Sequence, residues 1–279
     1  MTPSTVELLS RSLAPAEVLA LGDRQLEIRR AGPRSCRTSI LLHGLGSSSA
    51  GYRAQLSELS EQRHVVAWNA PGFGRSTALT RPSPSLREYS DAVMELVDAL
   101  GQEGVDLVGS SWGSLIAADV AATYPERVNS LVLISPTMGY THLSLSEREA
   151  QIQARIDGFN SDDPALRASR FLAPGAEPIV VQRFLELRRD TNTSGYAAAT
   201  AMLYSSRPLD VYQRVKVPVL IIAGAQDKVC PAKAIDQVRA TLPDAALIML
   251  AGCGHIPKLE KPDEVNKALA EFWEKRARI

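Results

Sequence analysis

The stretch that most restricts how this chain can fold runs from Val105 to Ala122. Val105-Asp-Leu-Val108 has the pattern of a buried strand. It runs into Gly109-Ser-Ser-Trp-Gly113, and a helical pattern follows from Leu115 to Ala122. A strand that gives way to a helix over so short a segment must turn sharply at Ser111. Gly109 and Gly113 carry no Cβ, so strand and helix can approach closely around that turn. The serine hydroxyl then stands above a sheet edge. The unpaired N–H groups and positive dipole end of the next helix face it. A serine so placed is a candidate nucleophile, but Gly/Ser runs also make ordinary turns. The assignment therefore depends on the partners found elsewhere in the chain.

Taken in order, residues 1 to about 20 read as a helix or an attached arm. Gln25 to Arg30 alternates apolar and polar residues like a half-exposed edge strand. Thr38 to Leu42 is a short apolar strand ending in the loop His43-Gly-Leu-Gly-Ser-Ser-Ser-Ala-Gly51. Tyr52 to Leu59 reads as a helix. Val65 to Trp68 is a strand ending in Asn69-Ala-Pro-Gly-Phe-Gly-Arg-Ser76. Leu86 to Leu100 is an amphipathic helix closed by Gly101. Val128 to Ile134 is a further strand. Strand, loop and helix in repetition predict an α/β fold, with a parallel sheet covered by helices on both faces. The loops that begin at residues 43, 69 and 109 all follow strands, so they open onto one edge.

The pattern changes at Ser135. From Pro136 to about Arg214 the chain is charged and helical, with helices over Leu145–Arg155, Pro164–Phe171 and Ile179–Arg189 and no clear strand. Val217 to Ala223 restores the strand pattern. So long a stretch between consecutive strands favours an inserted helical cap over further helices laid on the sheet. The expected division is a core domain of residues 1–135 and 215–279 with a cap of 136–214. Pro231–Leu242 and Asp263–Lys275 read as helices and Ala246–Leu250 as a strand.

The 279 residues suffice for one large domain with a buried core. The 31 basic and 31 acidic residues balance, and no run of like charge suggests a nucleic-acid or membrane surface. No apolar run approaches the roughly 20 residues of a membrane span, and the N-terminus does not read as a signal peptide. Cys36, Cys230 and Cys253 form neither a disulfide framework nor a zinc pattern. A cytoplasmic protein acting on a small molecule is expected, with no metal and no cofactor. Oligomeric state is not legible.

A serine hydroxyl needs a base within hydrogen-bond reach, and the base needs an orienting acid. Of the four histidines, His43, His64, His142 and His255, only His255 lies beyond Ser111 and past the restored strand pattern. It sits in Ala251-Gly-Cys-Gly-His-Ile-Pro257, directly after a strand. The acid should also follow a strand. Asp227 is the single carboxylate in Gly224-Ala-Gln-Asp-Lys-Val-Cys-Pro231, whereas the loop Pro136-Thr-Met-Gly-Tyr140 has none. Glu260 follows His255 too closely to orient it and is read as structural. The oxyanion of a tetrahedral intermediate needs two donors. The backbone N–H groups of Trp112 and of Leu45, in His43-Gly-Leu-Gly46, are the candidates. Their side chains are then free to shape the pocket, and His43 is read as a structural residue bonding nearby loops.

Together these pieces resemble the α/β-hydrolase fold serine hydrolases of the capped esterase, lactonase and C–C hydrolase group. The matching segments are His43-Gly-Leu-Gly46, Pro71-Gly-Phe-Gly-Arg-Ser76, Gly109-Ser-Ser-Trp-Gly113, Gly224-Ala-Gln-Asp227 and Gly252-Cys-Gly-His255. The resemblance implies a mostly parallel eight-stranded sheet with an inserted cap, and a Ser111–His255–Asp227 triad. Ser111 argues against the family's dehalogenases and epoxide hydrolases, which carry aspartate at the elbow. Gly46-Ser-Ser and His255-Ile-Pro depart from the pattern of its C–C hydrolases. Asn69 stands where many members have aspartate, and Ser114 where many have glycine.

The leading expectation is hydrolysis of a small carboxylic ester or lactone through an acyl-enzyme. The alternatives are C–C hydrolysis of a vinylogous diketo acid, which requires a cationic cap residue facing the serine, and a non-catalytic ligand receptor. Gly44, Met138, Tyr140, Phe171 and Phe184 are candidate pocket residues, with Tyr196, Met202 and Tyr204 as further ones. About half of the cap candidates are expected to be cap core. Arg183, Arg188 or Arg189 are candidates to pair with a substrate carboxylate.

Overall fold

The computed structural model describes residues 3–161, 163–189 and 191–277, and their side chains except at 160, 161, 189, 276 and 277. Eight strands form one sheet: β1 Ala16–Leu21, β2 Arg24–Ala31, β3 Thr38–Leu42, β4 His64–Trp68, β5 Val105–Ser110, β6 Val128–Ile134, β7 Val219–Gly224 and β8 Ala246–Leu250. Their order is β1-β2-β4-β3-β5-β6-β7-β8. β1 and β2 pair antiparallel, as do β2 and β4, and the other pairs are parallel. The fold is α/β, a mostly parallel eight-stranded sheet with helices on both faces.

The helices are α1 Thr5–Ser10, α2 Arg53–Glu58, α3 Leu86–Ala99, α4 Trp112–Thr123, α5 Leu145–Ser161, α6 Pro164–Phe171, α7 Pro178–Arg189, α8 Thr193–Ser205, α9 Pro208–Tyr212, α10 Ala232–Ala240, α11 Pro257–Glu260 and α12 Pro262–Ala277. Their ends follow local chemistry. α3 opens on a capping box in which Ser85 Oγ accepts from Glu88 N and Glu88 accepts from Ser85 N. It closes before Gly101, whose φ of 66° needs no Cβ.

β3, β4, β5 and β7 are buried along their whole length. Strands covered on both faces have little use for polar alternation, which is why they read as apolar runs. Their side chains still alternate between two cores. Ile40 and Leu42 join Val66, Trp68, Trp112 and Leu115 on one face, while Leu41 joins Val65, Val108, Ile222 and Leu269 on the other. α4 is buried from Trp112 to Ala121 and lies in the first of these cores. A third cluster ties Leu8 and Leu9 of α1 to Leu172 beside α6, Val180, Phe184 and Leu187 of α7 and Leu259 of α11. It fastens part of the helical segment between β6 and β7 to the loop region that follows β8.

Two readings of the N-terminal region are corrected. Ala16–Leu21 is a strand, not part of an arm, and it makes β1 the sheet edge. β2 is paired on both sides and is not an edge. Ala16-Glu-Val-Leu-Ala-Leu21 is composed largely of helix formers, which hid the strand. The signal was Gly22-Asp23, a two-residue hairpin turn with Gly22 at φ 63°. Between β6 and β7 the described chain holds α5 to α9 and no strand.

Candidate active site

The turn after β5 places Ser111 at φ 52° and ψ −117°. A serine rarely adopts positive φ, and its cost is met by the packing around it. A Cβ on Gly109 would lie 2.3 Å from Gly113 O, and one on Gly113 would lie 2.4 Å from Leu42 O. Both contacts are to backbone, so neither position admits a side chain. Ser111 N donates to Ile134 O at 2.8 Å, which fixes the elbow to β6. Ser114 Oγ donates to Ser111 O at 2.5 Å, a contact glycine at that position lacks. Trp112 is the first residue of α4, so its N–H has no acceptor within the helix. Its indole does not shape a pocket. It is fully buried, with ring centroids 5.0 Å from Tyr89 and 5.8 Å from Phe73.

The loop after β8 brings in His255, whose N donates to Phe171 O at 2.7 Å. Its Nε2 lies 3.0 Å from Ser111 Oγ and its Nδ1 2.7 Å from Asp227 Oδ2. Asp227 Oδ1 accepts from Val229 N at 2.7 Å and Cys230 N at 2.8 Å. An ionised carboxylate only accepts, so the proton of a neutral imidazole sits on Nδ1 and Nε2 is left to accept from the serine. Burial disfavours an imidazolium at His255, but the hydrogen bond and charge of Asp227 outweigh it, and the pKa lies above the ordinary 6.5. Asp227, His255 and Cys230 offer atoms within 4.8 Å of one another, a spacing compatible with a metal. Both carboxylate oxygens and Nδ1 already have hydrogen-bond partners, so these residues fit a proton relay better than a metal cage.

Glu260 does more than follow His255. Its carboxylate accepts from Gly254 N at 2.9 Å and Ile256 N at 3.0 Å, the residues on either side of His255, and from Ala173 N at 2.7 Å. It thereby sets the imidazole's backbone and joins it to the chain that leaves α6. Glutamine keeps one acceptor and puts an NH2 against a facing N–H. Glu260→Gln is expected to destabilise the fold by about 2 kcal/mol, the scale of a buried hydrogen bond left unmade. It should also lower kcat more than it raises KM. A thermal melt alongside steady-state kinetics checks both, and an unchanged kcat would leave Glu260 with a purely structural role.

His43 is fully buried. Its Nε2 accepts from Ala70 N at 3.0 Å and its Nδ1 donates to Gly44 O at 2.9 Å. Burial pushes its pKa down to about 3, which keeps the ring neutral, as those two roles require. A Cβ on Gly44 would lie 3.3 Å from Ser111 Cβ, so the His43–Gly46 loop runs against the serine. Ser47 N donates to Gly44 O at 3.1 Å, and Gly46 turns at φ 73°.

A small cavity of about 30 Å³ lies beside the serine. Gly44, Leu45, Ser111, Phe171, Phe184 and His255 line it, together with Ser47, Arg155, Leu187, Arg188 and Lys258. Met138 and Tyr140 are not part of this wall. Met138 packs against the core, and Tyr140 stacks on Tyr204 at 3.8 Å while its hydroxyl accepts from Arg155 Nη1 at 3.0 Å. Tyr196 and Tyr204 are likewise buried, and Met202 is buried in the core on one face of the sheet. Arg183 is engaged by Leu9 O and Glu186. Arg188 faces the cavity, and the side chain of Arg189 lies outside the described residues. Arg155 and Lys258 were missed. The charged surface pattern of α5 concealed Arg155, while Lys258 had a usable signal three residues past His255. A separate groove lined by Glu58, Arg63, Asn266 and Trp273 contains none of the candidate residues.

A serine on a sharp strand-to-helix turn, with histidine and aspartate brought to it from later loops of a parallel sheet, defines an α/β-hydrolase. The chain belongs to the alpha/beta hydrolase fold family, whose model matches residues 40–262. It is 26% identical over 241 residues to an (E)-2-((N-methylformamido)methylene)succinate hydrolase of Acinetobacter baylyi, covering 84% of this chain and 89% of that protein. It is 30% identical over 249 residues to a pimeloyl-[acyl-carrier protein] methyl ester esterase of Aromatoleum aromaticum, covering 81% and 93%. The structure of a hydrolase from Pseudomonas aeruginosa superposes with a TM-score of 0.81 at 27% identity, over 94% of this chain and 99% of that one. Family and relatives support a hydrolase. No described helix is long and apolar enough to cross a membrane.

Proposed function

We propose that this protein hydrolyses a small carboxylic ester or lactone through an acyl-enzyme. The observation that carries the reading is the continuous chain Ser111 Oγ–His255 Nε2–His255 Nδ1–Asp227, with spacings of 3.0 and 2.7 Å, beside the free N–H of Trp112. Ser111 Oγ attacks the carbonyl carbon as His255 Nε2 takes its proton. The N–H groups of Trp112 and Leu45 hold the oxyanion. The tetrahedral intermediate expels the alcohol, which receives the proton from His255. Water, deprotonated by the same nitrogen, then releases the acid and restores Ser111. Asp227 keeps the imidazole in the required tautomer throughout. Residues 136–214 act as the cap, contributing Arg155, Phe171, Phe184, Leu187 and Arg188 to the cavity wall. The three cysteines are free thiols, which suits a reducing cytoplasm.

One relative is named as a methyl ester esterase and another as an (N-methylformamido)methylene-succinate hydrolase. Cleavage of an amide or C–C bond by the same residues is therefore the second reading. The cations that line the cavity give it a specific footing, because C–C hydrolysis of a vinylogous diketo acid needs one facing the serine. The test is a panel of p-nitrophenyl acetate, short methyl esters, a small lactone, an N-acyl enamine acid and a vinylogous diketo acid. Ester or lactone turnover is expected, with a burst of p-nitrophenol equal to the enzyme and an acyl adduct on the Ser111 peptide. Turnover of the enamine acid or diketo acid alone moves the reading to amide or C–C cleavage. A ligand-induced thermal shift without turnover replaces both with a receptor.

A further inference from the structure

The polar side chains around the cavity are an unbalanced set. Ser47, Ser110, Ser111, Arg155, Arg188, His255 and Lys258 line it, and among the described residues no carboxylate does. Among the described residues no acidic side chain forms an ion pair with Arg155, Arg188 or Lys258. Arg155 instead donates to the neutral hydroxyls of Tyr140 at 3.0 Å and Tyr196 at 3.4 Å.

Two of these cations are deeply buried. Lys258 is 2% exposed and Arg188 9%. Lys258 Nζ, Arg188 Nε and Ser47 Oγ are all buried without a hydrogen-bond partner. What stabilises the cations is aromatic. Lys258 Nζ lies 3.7 Å from the Tyr52 ring centroid, and the Arg188 guanidinium 4.1 Å from that of Phe159. Stacking satisfies a flat face and leaves N–H groups at the edge unspent. Glycine makes room for both cations. A Cβ on Gly46 would fall 2.5 Å from Arg188 Nη1, and one on Gly51 would fall 3.5 Å from Lys258 Nζ and 2.8 Å from Ser47 Oγ. Gly46 adjoins Leu45, the candidate oxyanion donor, so the guanidinium lies against the oxyanion loop itself.

Buried charges without counter-ions are costly, and burial pushes the Lys258 ammonium down to about 7. A wall of donors without a facing acceptor is complementary to a ligand group that only accepts and carries the missing charge. We infer that Arg188 and Lys258, with Ser47, form a carboxylate-binding subsite, and that the substrate is an ester or lactone bearing a free carboxylate on its acyl side. Arg155 adds a third positive charge to the same cavity. This inference rests on the hydrolase reading for the bond cleaved, though not for the binding of the carboxylate. A planar carboxylate meets the guanidinium edge through two parallel hydrogen bonds, whereas a neutral ester leaves all three orphaned groups unmet.

The test compares monomethyl succinate with methyl 4-methylpentanoate, in which an isopropyl group replaces the carboxylate. It also measures succinate binding by calorimetry. The wild type is expected to prefer the anionic ester in kcat/KM by about 10- to 100-fold, the factor that one charge-assisted hydrogen bond carries. Succinate should bind, and 4-methylpentanamide should not. Arg188→Met and Lys258→Met should each collapse the preference and weaken succinate, with Arg188→Lys intermediate. If the wild type shows no preference and no succinate binding, the subsite is overturned, and that result needs no variant to fold. Equal competition by chloride overturns it as well, in favour of a general anion hole. If succinate binds but neither ester turns over, the hydrolytic reading fails while the subsite stands.

Discussion

Ser111→Ala is expected to lower kcat for any ester or lactone substrate by about a million-fold, since a triad without its nucleophile retains little of the covalent pathway. The size of the effect follows from the division of labour in the site. The proposed oxyanion donors are backbone groups and survive the substitution, but without Oγ there is no serine-bound tetrahedral intermediate for them to stabilise. The residual rate should reflect binding and the oxyanion hole alone. The substitution also separates chemistry from folding. The elbow is set by Gly109 and Gly113 and by the bond from Ser111 N to Ile134 O, none of which needs the hydroxyl. The melting temperature is therefore expected to hold, and succinate should still bind. Stopped-flow and steady-state assays on the purified variant read the loss. A fall of tenfold or less would mean that Ser111 is not the nucleophile.

What the sequence made legible, and what it concealed, divides along a physical line. Ser111, His255 and Asp227 were readable because each follows an apolar strand in a short loop. Their chemistry also leaves few rivals: one histidine beyond the serine on a later strand, and one carboxylate in its loop. The parallel direction of β3 to β8 follows from the same punctuation, but their order in the sheet, with β3 between β4 and β5, does not. β1 escaped because its residues are helix formers and only the Gly22-Asp23 turn gave it away. The pocket was hardest to read, since it is lined by helices whose facing depends on how they dock. α4 is buried all round and so has no apolar stripe to show where Trp112 points. Its indole went to the core and not to the substrate. Tyr140 and Arg155 form one unit in which the arginine reaches the cavity and the tyrosine supports it. A sequence shows an aromatic and a charge there, but not which stands in front. Lys258 reads as a surface lysine on a short helix, and only the packing of Tyr52 beneath it reveals its burial.

Asp227→Asn is expected to lower kcat by about 10⁴-fold while leaving the geometry almost intact, through the tautomer of His255. Oδ1 of the wild-type carboxylate accepts from both Val229 N and Cys230 N. In the variant the amide oxygen must take that place, because an NH2 there would face two donors. The NH2 group is then left toward His255 Nδ1, where it can only donate. Nδ1 must become the acceptor, the ring proton moves to Nε2, and the imidazole can no longer take a proton from Ser111. The pH dependence has a definite sign. In the wild type, burial disfavours the imidazolium but Asp227 outweighs it, so the pKa lies above 6.5. Activity, which needs the neutral ring, should rise with pH along a limb displaced to the alkaline side of that value. Removing the carboxylate leaves burial in control and should move the limb to lower pH. The same linkage acts on stability. A raised folded-state pKa stabilises the fold fully below the unfolded-state value of 6.5, and the contribution fades as pH rises through the folded value. The gap in melting temperature between wild type and variant should therefore be widest in mild acid and narrow toward alkaline pH. Rate–pH profiles and melts at a few pH values measure both, and a variant limb that stays in place would mean that Asp227 does not govern the imidazole.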